Sequence, residues 1–193
     1  MSNEFLNSLE NLDALNVSDF IKFSRRGIEK ENLRSRNCSI SLEDHPKAYG
    51  SSLTNPRITT DFSEALSELV TSPNKDLNNC LKELENIVYF CLKNTDDDFW
   101  PASIPMSIED ESAIPIAEYG HSNSGKLKKL YRIGLSHRYG SMMQTVSGIH
   151  YNFSFDDRLF EEWAKNEGGS LREFKDKKYL SLVRNFRRNA WLI

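Results

Sequence analysis

The chain has 193 residues, 38% of them hydrophobic and 27% charged, with a formal net charge of −3. That length supports one good core, and 11% aromatics argues against disorder. The charge balance gives no global positive field for nucleic acid or anionic lipid, and no apolar run approaches the roughly 20 residues that span a bilayer. The start, MSNEFLNSLENLDALN, lacks the basic and apolar regions of a secretory signal, so a soluble, cytoplasmic protein is expected.

Residues 4–23 are predicted as a helix, with Phe5, Leu6, Leu9, Leu12 and Leu15 at helical spacing. GIEKENLRS then alternates, Ile28 to one face and Glu29 and Glu31 to the other, which is a strand pattern. A polar turn region, roughly 35–50, carries Pro46 and Gly50. In PRITTDFSEALSELVTSP a helix would align Phe62, Leu66 and Leu69. The β-branched residues at both ends (Ile58, Thr59, Thr60, then Val70, Thr71) favour two strands around a turn or short helix.

Residues 76–94 form the clearest predicted helix, with Leu77, Leu81, Leu84, Ile87, Val88 and Cys91 as its buried stripe. Pro101 and Pro105 make FWPASIP irregular. Residues 125–139 read as a second long helix, with Ser122, Asn123 or Ser124 as its N-cap. SGIHYNFSF is the cleanest strand. Ile149, Tyr151, Phe153 and Phe155 share one face; His150, Asn152 and Ser154 share the other, in register with Gly148 and, farther back, Gln144. A last helix is expected from near Lys175 to the end. The closing Trp191, Leu192 and Ile193 carry no stop signal, so the polypeptide is expected to be cut within a helix. Cys38, Cys80 and Cys91 match no zinc spacing and are expected to be reduced, buried thiols.

Several acids could converge: Glu29 and Glu31 on one strand face, Asp61 and Glu68 flanking a tight element, with His150 and Asn152 on a third strand. Acids packed together raise one another's pKa unless a cation neutralises them, and oxygen-rich clusters suit magnesium or manganese. Spacing alone leaves the alternative open, since two glutamates at i and i+2 are most often a solvated face. A lone strand histidine is likewise most often a satisfied polar residue. GHSNSGK at 120–126 nearly fits a phosphate loop, but Leu127 stands where that motif places a hydroxyl, and IPIAEY is a poor buried strand. The basic face of Lys126, Lys128, Lys129 and Arg132 is read as solvated. The arginines 184, 187 and 188 lack an interleaved aromatic platform for nucleic acid.

The motifs GIEKENLR, HPKAYGSSLTNPRITTDFSEALSELVT, WPASIP, IAEYGHSNSGKLKKLYRIGLSHRYGSMMQTVSGIHYNFSF and YLSLVRNFRRNAWLI resemble, in collinear order, the proteobacterial type of glutamate–cysteine ligase. The resemblance implies an α+β fold of the glutamine synthetase-like superfamily, a curved antiparallel sheet forming a cup with flanking helices. Residues 1–193 would be the N-terminal part of one catalytic domain. It implies ATP-dependent joining of the γ-carboxyl of L-glutamate to L-cysteine through γ-glutamyl phosphate, with Mg2+ (or Mn2+) and ATP as requirements. Neither nucleic acid nor a membrane is an implied partner.

Carried over residue by residue, Glu29, Glu31, Asp61, Glu68 and His150 correspond to the metal site, His150 also acting as the catalytic histidine. Gln144 and Asn152 correspond to glutamate contacts and Tyr131 to the cysteine pocket. Lys30 and Asn32 depart from the Arg and Thr common in relatives. The remaining alternatives are a catalytically incomplete fragment and a related carboxylate–amine ligase with another acceptor.

Overall fold

The computed structural model describes residues 6–7, 10, 13, 20–165 and 169–192. It divides into two compact units, one of residues 26–152 and one of residues 1–25 with 153–193. The helix expected over 4–23 falls largely outside the described residues, although positions 6–7, 10, 13 and 20–21 are helical. Among the described residues, no helix is long and apolar enough to cross a membrane.

The larger unit is built on strand β1 (Arg25–Arg36), which runs the length of the GIEKENLRS alternation. It joins β2 (Ser39–Ile40) through a turn in which Asn37 and Cys38 both have positive φ, 51° and 62°. The expected pair of strands is present: β3 (Ile58–Thr60) and β4 (Leu66–Val70) lie antiparallel, and β4 lies antiparallel to β1. Thr60 and Ser67 are register partners, so residues 61–65 turn tightly between the strands. Strand β5 (Asp98–Phe99) pairs with the far end of β1, and β6 (Ile149–Ser154) also pairs with β1. The architecture is thus α+β, an antiparallel sheet with flanking helices.

Helix α1 (Leu77–Lys93) is capped by the Asp76 carboxylate on the Asn79 amide. Its inner face is Cys80, Leu84, Ile87, Val88 and Cys91, while Leu77 and Leu81 are exposed. The predicted stripe was therefore displaced at its N-terminal end, where the small thiol of Cys80 packs inward against the Thr71 hydroxyl. Tyr49, Ile58, Leu69 and Cys91 form the core beneath this helix. Leu33, Ala65, Leu66 and Met106 form a second cluster, with Trp100 packed against it.

Buried polar links tie the loops to this frame. Arg34 and Asp97, both fully buried, pair at 2.6 Å, and Arg34 also donates to the carbonyls of Glu43, Asp44 and Glu64. The buried Glu64 carboxylate accepts from the amides of His45 and Glu118. Cys80 and Cys91 are buried free thiols, and burial pushes the Cys91 thiol up to about 12. Cys38 is exposed, contrary to expectation, because it sits at the tip of the β1–β2 turn.

Helix α2 (Asn123–Tyr139) begins at the Ser122 cap. A Cβ at Gly125 would fall 2.4 Å from the Tyr119 carbonyl oxygen, so this glycine serves close packing of helix on backbone. The segment before α2 is not a strand, which removes the frame a phosphate loop needs. The basic face of α2 is not simply solvated: Lys129 pairs with Glu118, and the Lys128 and Arg132 cations lie over the Tyr119 ring.

The smaller unit contains α3 (Asp157–Ala164) and α4 (Leu171–Asn189). Helix α4 starts four residues earlier than the expected Lys175, at a full capping box between Ser170 and Glu173. The unit packs on aromatic rings: Phe155, Phe160 and Tyr179 meet at 5.3–6.2 Å, and Trp163 meets Phe174 edge-on at 5.8 Å.

Candidate functional site

The alternation of β1 places Glu29 and Glu31 on one face. The β1–β4 register sets Glu31 directly opposite Glu68, so a third carboxylate joins that face from the neighbouring strand. On β6, His150 Nδ1 lies 3.2 Å from Glu29 Oε2, and the Asn152 amide donates to Glu29 Oε1 at 2.7 Å. His150 Nε2 lies 4.0 Å from Glu31 Oε1. Asp61, in the turn between β3 and β4, is close enough that its charge acts on both Glu31 and Glu68.

The electrostatics follow from this crowding. Burial, then the charges of Asp61, Glu29 and Glu31, push the Glu68 carboxyl up to about 7, against the pull of His150. Glu31 is also raised, chiefly by burial, while the Gly148 amide works in the other direction. His150 is raised, first by its hydrogen bond with Glu29 and then, against desolvation, by the carboxylates around it.

This donor set fits a hard divalent cation. Glu29, Glu68 and His150 each offer a ligand atom within 4.8 Å of one another. Opposite ligands of one magnesium ion stand roughly 4.2 Å apart, so a small side-chain closure would gather them.

Five of the eight residues singled out in the sequence for metal and substrate contacts converge electrostatically: Glu29, Glu31, Asp61, Glu68 and His150. Asn152 joins them through Glu29. Tyr131 on α2 is exposed and Gln144 in the short turn Met142–Thr145 is half-buried, and neither has a hydrogen bond to the carboxylates. The helix bearing Tyr131 is nevertheless anchored to the acidic turn, because the Arg132 guanidinium donates to the Asp61 carbonyl.

Sequence reasoning missed Gly148. Its amide donates to Glu31 Oε2 at 2.6 Å, and its carbonyl accepts from the Glu31 amide at 3.0 Å. A Cβ there would lie 3.2 Å from His150 Nε2 and 3.3 Å from Glu31 Oε2. The only signal was a glycine two residues before a strand histidine.

The glutamate-cysteine ligase family model matches residues 9–193. The chain belongs to the glutamate–cysteine ligase family. It is similar to the glutamate–cysteine ligase of Saccharophagus degradans, 47% identical over 172 residues, which covers 87% of this chain and 32% of that protein. The Pseudoalteromonas translucida glutamate–cysteine ligase is 45% identical, over 94% of this chain and 36% of that one.

Among solved structures, the glutamate–cysteine ligase of Francisella tularensis in complex with AMP superposes with a TM-score of 0.81 at 41% identity. The match covers 88% of this chain and 34% of that one. A bifunctional glutathione synthetase from Pasteurella multocida superposes at 0.80 with 29% identity, over 96% of this chain and 24% of that one. The chain thus spans about a third of the length of the curated glutamate–cysteine ligases it matches.

Proposed function

We propose that this chain supplies the metal-binding face of a catalytic domain that joins the γ-carboxyl of L-glutamate to the amine of L-cysteine at the expense of ATP. In this reading residues 1–193 are the first part of that single domain, and the reaction takes place in the cytoplasm, where ATP is held. The observation that carries the proposal is the convergence of Glu29, Glu31, Asp61 and Glu68 with His150 on one sheet face, in a member of this ligase family.

The chemistry gives the acidic face a role. A carboxylate approaching a triphosphate meets strong repulsion. Magnesium, when bound, would screen that charge and orient the phosphates. Glu29, Glu68 and His150 would hold it, with Glu31 and Asp61 completing the charge around it. Gly148 and Asn152 keep Glu31 and Glu29 oriented, so the face is preset before substrates arrive. His150 acts as a ligand and electrostatic group, not a nucleophile, because its Nδ1 already faces Glu29.

In the proposed sequence the glutamate γ-carboxylate takes the terminal phosphoryl group of ATP, releasing ADP. The cysteine amine then displaces phosphate from the acyl phosphate. Asn152 and Gln144 are proposed to contact glutamate and Tyr131 to line the cysteine pocket. The test is ADP release from magnesium–ATP by the complete protein of which residues 1–193 are the first part, with glutamate, in the presence and absence of cysteine. Cysteine-dependent release supports the ligase. Release supported by a different amine would transfer the site to a related carboxylate–amine ligase, and no release from the folded protein would refute the reading.

A further inference from the structure

The opposite face of β1 carries a second polar site. Lys30 and Asn32 alternate with the carboxylates and therefore point away from them. The Lys30 ammonium donates to Asn32 Oδ1 at 2.7 Å, which orients both groups. They open into a cleft of about 90 Å³ whose other walls include Glu31, Trp100, Ser103, Ser147 and Ile149. These walls hold one another: the Ser147 amide donates to the Ser103 carbonyl at 2.8 Å, and the Trp100 amide to the Leu33 carbonyl at 2.8 Å. The Trp100 indole donates to the Ile104 carbonyl at 2.9 Å, fixing the turn that forms the wall.

Three features of this cleft lack their complement among the described residues. No carboxylate lies within ion-pair distance of the half-buried Lys30 ammonium. The Asn32 amide N–H groups have no acceptor once Oδ1 has taken the lysine. Ser147, only 5% exposed, has a hydroxyl with no hydrogen-bond partner. Buried polar groups are ordinarily satisfied, and here a cation, an amide and a hydroxyl, all able to donate, border one small space.

We propose that this cleft binds a small oxyanion, a phosphate or a carboxylate group, through Lys30, Asn32 and Ser147. The ligand supplies the missing negative charge and accepts from all three donors. The cleft has room for a group of that size and not for a nucleotide. The cleft adjoins the acidic face at Glu31, and its donors Lys30 and Asn32 stand on the opposite face of β1.

The test uses inorganic phosphate and the full chain in buffer with chelator, so that no divalent cation recruits phosphate to the carboxylates. Saturable binding, followed by phosphorus NMR line broadening or calorimetry, is expected. Lys30→Met should weaken it by about tenfold or more, since a charge-assisted hydrogen bond contributes that much, and Lys30→Arg should retain it. Ser147→Ala should weaken it less and keeps the test valid if the lysine variant fails to fold. Acetate that displaces phosphate identifies the shared site as a general carboxylate and phosphate site; phosphate binding that acetate leaves intact identifies a tetrahedral preference. No saturable binding, binding unchanged in folded Lys30→Met, or binding that requires magnesium overturns the proposal.

Discussion

Glu31 and Glu68 are register partners across the β1–β4 ladder, two carboxylates directly opposite on one face of the sheet. Like charges so placed destabilise a strand pair, by about 0.2–1 kcal/mol. The sheet keeps them there with Asp61 and Glu29 added to the same field. Glu68→Gln should therefore raise the melting temperature of the metal-free chain while removing most of its magnesium-dependent stabilisation. Thermal melts with and without magnesium check this. A variant that loses stability without metal, or keeps the magnesium response, contradicts the assignment of Glu68.

The pH dependence has a definite sign. Glu68 titrates at about 7 in the fold against an ordinary 4.5. Between those values the folded chain holds a proton that the unfolded chain has released, so the metal-free fold is favoured below 4.5 and loses this contribution as pH rises through 7. Magnesium requires the ionised carboxylate. Its affinity should rise from pH 5.5 to about 7.5, and binding near pH 6 should release the proton of Glu68 together with that of His150, whose raised imidazole must be neutral to ligate. Calorimetry in buffers of different ionisation enthalpy reads those protons directly.

Gly148 offers a test of geometry without a change of charge. An added methyl would meet His150 Nε2 at 3.2 Å and Glu31 Oε2 at 3.3 Å. Either the imidazole or the carboxylate must shift by a few tenths of an ångström. Gly148→Ala should weaken magnesium binding by about 10-fold, with a change in melting temperature of only a few degrees. Unaltered metal affinity would mean that the clamp on Glu31 is incidental.

Much of this arrangement was legible because it rests on local periodicity. Glu29 and Glu31 alternate with Ile28, and β-branched residues at 58–60 and 70–71 marked the β3–β4 pair. What could not be read was the register that sets Glu31 opposite Glu68, which is a long-range property of paired backbones. Backbone donors left no side-chain signature either, so the Gly148 amide on Glu31 was invisible. Other misses had signals that were present. The S-x-x-E pattern at 170–173 announces the start of α4, and the inner face of α1 needed Cys80 counted as a small hydrophobe. The basic face of α2 read as solvated because its ring contacts and its link to the Asp61 carbonyl come from distant sequence.

The buried Arg34–Asp97 pair predicts the largest loss of stability. Both side chains are nearly inaccessible, at 1% and 0% exposure. Asp97 also accepts from Ser41 at 2.6 Å and from Arg36 at 2.9 Å, while Arg34 gathers three carbonyls from two loops. Removing one partner leaves the other charged, buried and unpaired, which costs about 3–5 kcal/mol. Asp97→Ala should therefore destabilise the fold by that order. The double variant Arg34→Met/Asp97→Ala should be less destabilised than the sum of the single changes, because it leaves no orphaned charge. Denaturant unfolding of the two single variants and the double variant measures the coupling. Additive losses would mean that Arg34 is held mainly by the carbonyls of Glu43, Asp44 and Glu64 and that Asp97 acts chiefly on Ser41 and Arg36.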